Sequence, residues 1–283
     1  MLMGRIYLII PYYGSFPTYF QQYLDSISIN MDILTILFLT DINTESYTIP
    51  ANAIFSYNTL EEVRERVRYF MKTEYQTDVK KEDLVKVPYK LCDFRPVFFA
   101  IFADKLSSLS LTSDDFVGWG DCDVVYGKLS NFIDLSAAAY SFIGTHGHFT
   151  TFRYTEELIT LYKNITDLKD CLLDNDKHYS TDEVHMRKII LEKIKTCKYI
   201  EFPVRNYFCD VLPVSRLVPT FDKKAFIRHL IFDRINENLS CLMEDGSKKD
   251  ILYTHLRKRR IKVMFDKYND RFYIKDNTFE LVP

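Results

Sequence analysis

Two apolar runs separated by one amphipathic stretch open the chain, and they restrict its architecture more than any other feature. Arg5 to Ile10 reads as a buried strand, ended by Pro11 and the Gly14-to-Pro17 turn. Phe16, Phe20, Tyr23, Leu24 and Ile27 then recur at helical spacing. Ile33 to Leu39 is a second continuous apolar run, stopped by Thr40-Asp41. Strand, helix, strand within the first 40 residues predicts a βαβ unit and a parallel sheet, hence an α/β fold.

Further along, Phe116-Val117-Gly118-Trp119-Gly120 is an apolar strand that runs into Asp121-Cys122-Asp123 and is followed by Val124-Val125-Tyr126-Gly127. Two carboxylates one residue apart repel each other unless a cation or a basic group offsets their charge. At the rim of a sheet they can share one hard divalent cation, which keeps open positions for water and phosphate oxygens. Flanking glycines allow backbone and ligand to approach closely. The expectation is a metal-dependent enzyme acting on a diphosphate. A rival chemistry uses the same letters, because phosphatases of the haloacid dehalogenase type carry D-x-D-x-[TV] with the first Asp as phosphorylated nucleophile. That motif normally ends the first strand of its domain, whereas here a βαβ unit comes first.

Thr59-Leu60-Glu61-Glu62 is a capping box, with Val63, Val67, Phe70 and Met71 on one helical face. Asp93 reads as the N-cap of a helix reaching Leu106, with Pro96 tolerated in its first turn. Ser141 to Phe152 reads as strand and turn, Thr155 as the cap of another helix, and Asp182 to Lys195 as helical. From Val204 the pattern loosens into short apolar runs with prolines and polar turns, finishing with Ile251 to Tyr253 and Ile261 to Phe265. This divides the chain into a core, 1–203, and a less regular part, 204–283, that completes the site either within the same domain or as an appendage. At 283 residues and 47% hydrophobic, the chain can bury a sizeable core. The net charge of -2 gives no steering toward nucleic acid. Six scattered cysteines without a C-x-x-C pair fit reduced thiols in a cytoplasmic protein, and no stretch reaches transmembrane length. Peripheral contact with the inner face of a membrane stays open.

Other groups carry a plain and a chemical reading. Tyr12 and Asp41 end the first two strands, where open α/β sheets bind ligands, and could hold a nucleobase or ribose. Lys90 and Arg95 around Asp93 suit phosphate charge. His146 and His148 form an H-x-H that can chelate, although a hydrogen-bonded loop is the better explanation of two histidines alone. Thr181-Asp182-Glu183 reads as a helix start, or as the position of a general base. His255, ahead of Arg257-Lys258-Arg259-Arg260, is a solvated basic stretch or a late metal ligand with a diphosphate clamp.

Taken in order, Ile9-Ile10-Pro11-Tyr12-Tyr13-Gly14, Phe38-Leu39-Thr40-Asp41, Pro88 to Pro96, Gly118 to Gly127, Gly147 to Arg153, Asp182-Glu183 and Tyr253-Thr254-His255-Leu256 resemble a glycosyltransferase of the GT-A fold. More narrowly, they resemble a family of bacterial and viral polysaccharide-biosynthesis transferases. The resemblance runs from about residue 6 to residue 260. It implies a Rossmann-like sheet that binds a nucleotide-diphosphate sugar, most commonly a uridine donor. It also implies a manganese or magnesium ion held by Asp121 and Asp123 with His255 completing the sphere. By the same resemblance Tyr12, Thr40 and Asp41 line the nucleoside pocket, and Lys90, Asp93, Asp121 and His148 face the donor phosphates and sugar. Asp182 or Glu183 matches the catalytic base of inverting members, and the acceptor would be a glycan, a glycolipid or a lipid-linked oligosaccharide. Cys122 stands where such families carry an aliphatic residue. The alternatives are a phosphatase-like hydrolase using Asp121 and a carbohydrate-binding protein without turnover.

Overall fold

The apolar runs near the amino terminus become adjacent parallel strands whose two faces are both covered. A computed structural model describes residues 4–135, 140–196, 198–212, 216–222, 225–257, 261–265, 269–275 and 277–282. Its strands, in chain order, are β1 (Ile6–Pro11), β2 (Leu34–Thr40), β3 (Ala53–Tyr57), β4 (Phe116–Gly120), β5 (Val124–Tyr126), β6 (Phe142–His146), β7 (Phe149–Arg153), β8 (Glu201–Phe202), β9 (Phe208–Leu212), β10 (Arg216–Pro219), β11 (Ile227–Asp233), β12 (Asn238–Met243), β13 (Lys248–Asp250), β14 (Tyr253–His255), β15 (Lys262–Val263), β16 (Arg271–Lys275) and β17 (Thr278–Leu281).

A seven-stranded sheet has the order β3-β2-β1-β4-β7-β6-β8. Strands β3, β2, β1 and β4 are parallel, and β7 runs antiparallel to β4. Because side chains alternate along a strand, Ile9, Leu37 and Trp119 fall on one face, and Leu8, Ile36 and Phe38 on the other. Helix Leu60–Tyr75 closes the first face with Val63, Val67, Phe70 and Met71. Helix Phe20–Ser28 closes the second with Phe20, Tyr23, Leu24 and Ile27. Burial on both sides explains why β1 and β2 are continuously apolar. The mixed α/β class expected from the first 40 residues is therefore observed. The capping box is present too, with Thr59 accepting from the Glu62 amide and Glu62 accepting from the Thr59 amide.

Three expectations need correcting. Residues Pro88–Val97 form a 3-10 helix, followed by short helices Phe98–Ile101 and Ala103–Ser107, instead of one helix capped by Asp93. Pro96 has no amide hydrogen to give to such a helix, and Asp93, fully buried, accepts from the Tyr179 amide at 3.0 Å. Thr155 makes no side-chain cap to helix Glu156–Ile159. The part after Val204 is also more regular than its sequence indicates. It contains a six-stranded sheet, β13-β12-β11-β16-β17-β15, whose buried Leu230, Phe232, Leu239, Cys241, Phe272, Ile274 and Phe279 form one cluster.

A third, four-stranded sheet has the order β10-β9-β14-β5. Here β14 lies between β5 and β9, antiparallel to the former and parallel to the latter. Tyr19, Ile29 and Val125 pack in the same apolar cluster as the six-stranded sheet, so the 1–203 and 204–283 segments share a core. Among the described residues no helix is long and apolar enough to cross a membrane. Among the described residues Cys92, Cys122, Cys171, Cys209 and Cys241 form no disulfide, and Cys197 lies outside the described residues.

Candidate functional site

Strand β4 ends at Gly120, so Asp121 and Asp123 emerge at the carboxyl edge of the parallel strands, where open α/β sheets bind ligands. Strand β14 runs beside β5 with His255 opposite Val124, which brings the late histidine next to Asp123. A carboxylate oxygen from each Asp and a nitrogen of His255 lie within 4.8 Å of one another, and His255 Nε2 is 3.8 Å from Asp123 Oδ2. On the other side of the ring, Nδ1 lies 3.0 Å from Asp210 Oδ1. A carboxylate only accepts, so Nδ1 carries a proton and Nε2 is the ring nitrogen turned toward Asp123. Burial opposes protonation of His255, but the Asp210 contact and the charges of Asp123 and Asp121 prevail and raise its pKa above the ordinary value. Asp210 is held in turn by Arg257, whose Nη2 donates to Oδ2 at 2.8 Å.

Arg95 provides the compensating charge on the opposite side. Its guanidinium pairs with Asp121, donates to Asp182 Oδ2 at 2.6 Å and donates to the Gly147 carbonyl oxygen at 2.9 Å. The two carboxylates therefore share one buried cation, a fork geometry that lysine cannot supply. Asp182 also accepts from the Glu183 amide, so both of its oxygens are engaged. Glu183 is exposed and accepts from the Gly147 amide at 3.1 Å. A methyl group on Gly147 would sit 2.6 Å from Glu183 Oε1, so a side chain there would push the Glu183 carboxylate aside. Both acids stand on a π turn, Asp182–Met186, that leads into helix Arg187–Lys195. A π turn inserted in a helix often marks a functional position.

Two cavities meet at these groups. The first, about 330 Å³, is walled by Pro11, Tyr12, Tyr13, Tyr19 and Tyr89. The second, about 710 Å³, is polar and takes in His148, Glu183, Arg205 and His255. Arg95, Asp121 and Asp123 belong to both. Burial, together with the nearby Cys122, Asp123 and Asp121, pushes the Tyr12 phenol up to about 12, so it stays a neutral, flat wall. In the second cavity the rings of His146, His148 and His255 form a column, with His148 stacked 4.0 Å from His255. His148 is buried and its Nε2 makes no hydrogen bond. Burial and the neighbouring His255 and His146 hold it well below the ordinary histidine value, so it is neutral.

The structure thus gathers Tyr12, Asp121, Asp123, His148, Asp182, Glu183 and His255 around one junction. It does not bring the remaining candidates there. The Lys90 ammonium is buried and spends its three donors on Asp93 and on the carbonyl oxygens of Cys171 and Lys177, each at 2.8 Å. With Asp93 it forms a buried pair that fixes the 177–181 loop and lines neither cavity. Thr40 accepts from the Ile42 amide within its own turn, and Asp41 is exposed behind Tyr13. Neither lines either of these two cavities, because β1 stands between their strand and β4. Of the expected basic clamp, Arg257 pairs with Asp210, and Lys258, Arg259 and Arg260 lie outside the described residues. Sequence reasoning missed Asp210. A lone acid inside the apolar run Phe208-Cys209-Asp210-Val211-Leu212 was the available signal, since a carboxylate in a strand needs a partner.

These features define a mixed α/β protein with an acid–histidine site at the carboxyl edge of its parallel strands. The chain belongs to a family of unknown function (DUF6625), whose model matches residues 8–282. No curated protein and no solved structure matches it significantly.

Proposed function

We propose that this chain is a metal-dependent glycosyltransferase of the GT-A type. It would move a sugar from a nucleotide-diphosphate sugar, by preference a uridine one, to a glycan or glycolipid acceptor in polysaccharide biosynthesis. The observation that carries this reading is the junction of an aromatic cavity and a polar cavity at Asp121, Asp123 and Arg95. A nucleoside fits the tyrosine-walled side, a sugar and its acceptor fit the polar side, and the diphosphate falls between them.

Asp121, Asp123 and His255 suit a manganese or magnesium ion. Two carboxylates are hard ligands, and the Asp210–His255 contact is the outer hydrogen bond that orients a ligating imidazole. Bound there, the ion would supply positive charge for the departing nucleoside diphosphate. Tyr12 would pack against the nucleoside. Arg95 would face the phosphates with a charge that burial does not remove. Between the two candidate bases the hydrogen bonds favour Glu183. Asp182 is committed to Arg95, whereas Glu183 opens into the second cavity. There it would accept the proton of an acceptor hydroxyl, which suits attack with inversion at the anomeric carbon.

The test is to incubate the protein with a panel of nucleotide sugars and manganese. The expected result is metal-dependent release of nucleoside diphosphate, abolished by chelator and by Asp123→Ala. Release of inorganic phosphate with labelling of Asp121 would instead identify a hydrolase. Saturable sugar binding without turnover would identify a binding protein.

A further inference from the structure

Away from both cavities, Asp167, Cys171 and His185 bring a carboxylate oxygen, a thiol sulfur and an imidazole nitrogen within 4.8 Å of one another. Asp167 immediately precedes helix Leu168–Leu173, and Cys171 lies one turn further on the same face, its amide bonded to the Asp167 carbonyl oxygen. His185 comes from the π turn, and its Nε2 is 3.6 Å from Asp167 Oδ2. An acid–imidazole contact accounts for those two residues alone. It leaves unexplained a thiol that is 2% exposed beside them and a shielded His185 Nδ1 that makes no hydrogen bond.

We propose that Asp167, Cys171 and His185 form a zinc site, separate from the Asp121–Asp123–His255 group, that pins the π turn to the helix behind it. The donor set is the argument. Thiolate, imidazole and one carboxylate are the ligands that select zinc, whereas the oxygen-rich group at the cavity junction suits manganese or magnesium. Ligand atoms around tetrahedral zinc stand roughly 3.5 Å apart, given metal–ligand bonds of about 2.0–2.3 Å. The present separations must therefore contract. The exposed Asp167 side chain is free to rotate inward, and water completes the fourth position. Binding releases the Cys171 thiol proton to solvent and involves no oxidation or reduction.

The consequence bears on the acids of the turn. Asp182 is fixed by Arg95, and Thr181 donates to the Asp93 carbonyl oxygen at 2.6 Å. Both ties hold the start of the turn. A metal on His185 would fix its far end, leaving Glu183 on a segment anchored at two points.

The test uses the metal-stripped full chain carrying Asp123→Ala, which removes the other site. Cobalt(II) serves as a spectroscopic substitute and zinc as competitor. One equivalent of cobalt should produce a thiolate-to-cobalt absorption band that zinc abolishes. Adding Cys171→Ser should eliminate the band, and adding His185→Asn should weaken zinc binding at least ~10-fold. Absence of the band in the Asp123→Ala protein overturns the proposal whatever the other variants do, as does a band that survives Cys171→Ser. If Cys171→Ser fails to fold, His185→Asn decides, and zinc affinity unchanged in it is equally fatal.

Discussion

The guanidinium of Arg95 is shared by Asp121, Asp182 and the Gly147 carbonyl oxygen, so this one side chain balances acids from two distant parts of the chain. Replacing it with methionine would keep much of the volume and leave Asp182 buried without its partner. Breaking a buried pair in this way typically costs about 3–5 kcal/mol, which urea unfolding would register as a lower midpoint at unchanged slope. Under the proposed function the same substitution acts oppositely on the metal. With its competing cation gone, Asp121 is free, and calorimetry should find Mn²⁺ bound more tightly in Arg95→Met than in the parent. Weaker binding would show that Arg95 organises the ligands rather than competing for them. At this scale Asp121, Asp123 and His255 could be read from the sequence, because an acid pair after an apolar strand and a histidine in a short late run are local signals. Lys90 and Asp93 misled for an equally local reason. Charges three residues apart within a polar motif look available, and only the fold shows that Cys171 and Lys177 absorb the ammonium.

Helix Phe20–Ser28 carries a buried acid, Asp25, that the apolar spacing alone would not foretell. Burial pushes its carboxyl up to about 7, against the opposing hydrogen bond from Gln21 and the charge of Arg234. A folded-state pKa above the unfolded one means that the native state holds the proton more tightly. The stabilising contribution is complete below the ordinary carboxylate value near 4 and is lost as pH rises through about 7. Across that window the loss approaches roughly 4 kcal/mol. Asp25→Asn keeps the shape and can still accept from Gln21, so its melting temperature should decline less than the parent's between those limits. Parallel melting curves for the two proteins would remove Asp25 from the account. The elements themselves were legible where an unbroken apolar run or one periodicity ran long enough, as in β1 and β2 and in the capped helix Leu60–Tyr75. The 3-10 segment Pro88–Val97 has no such period. The carboxyl-terminal strands are short and broken by turns, so their shared inner face appears only once they pair.

Across the molecule, β14 joins the middle of the chain to its later part, inserted between β5 and β9 with its histidine facing the acid pair. The cluster containing Tyr19, Ile29 and Val125 is completed by residues from Cys209 onward, so a fragment of residues 1–203 would expose apolar surface. Such a fragment should bind a hydrophobic dye and lack a cooperative thermal transition, as measured by fluorescence and circular dichroism. A sharp transition in the fragment would show that the amino-terminal sheets stand alone.

Strand β14 also imposes an order in time. A chain leaving the ribosome exposes Asp121 and Asp123 more than a hundred residues before His255 has been made, and contacts so far apart in sequence form late. The polypeptide at that stage therefore owns its acids but not their third partner, and the three-residue group exists only once β14 has emerged and paired.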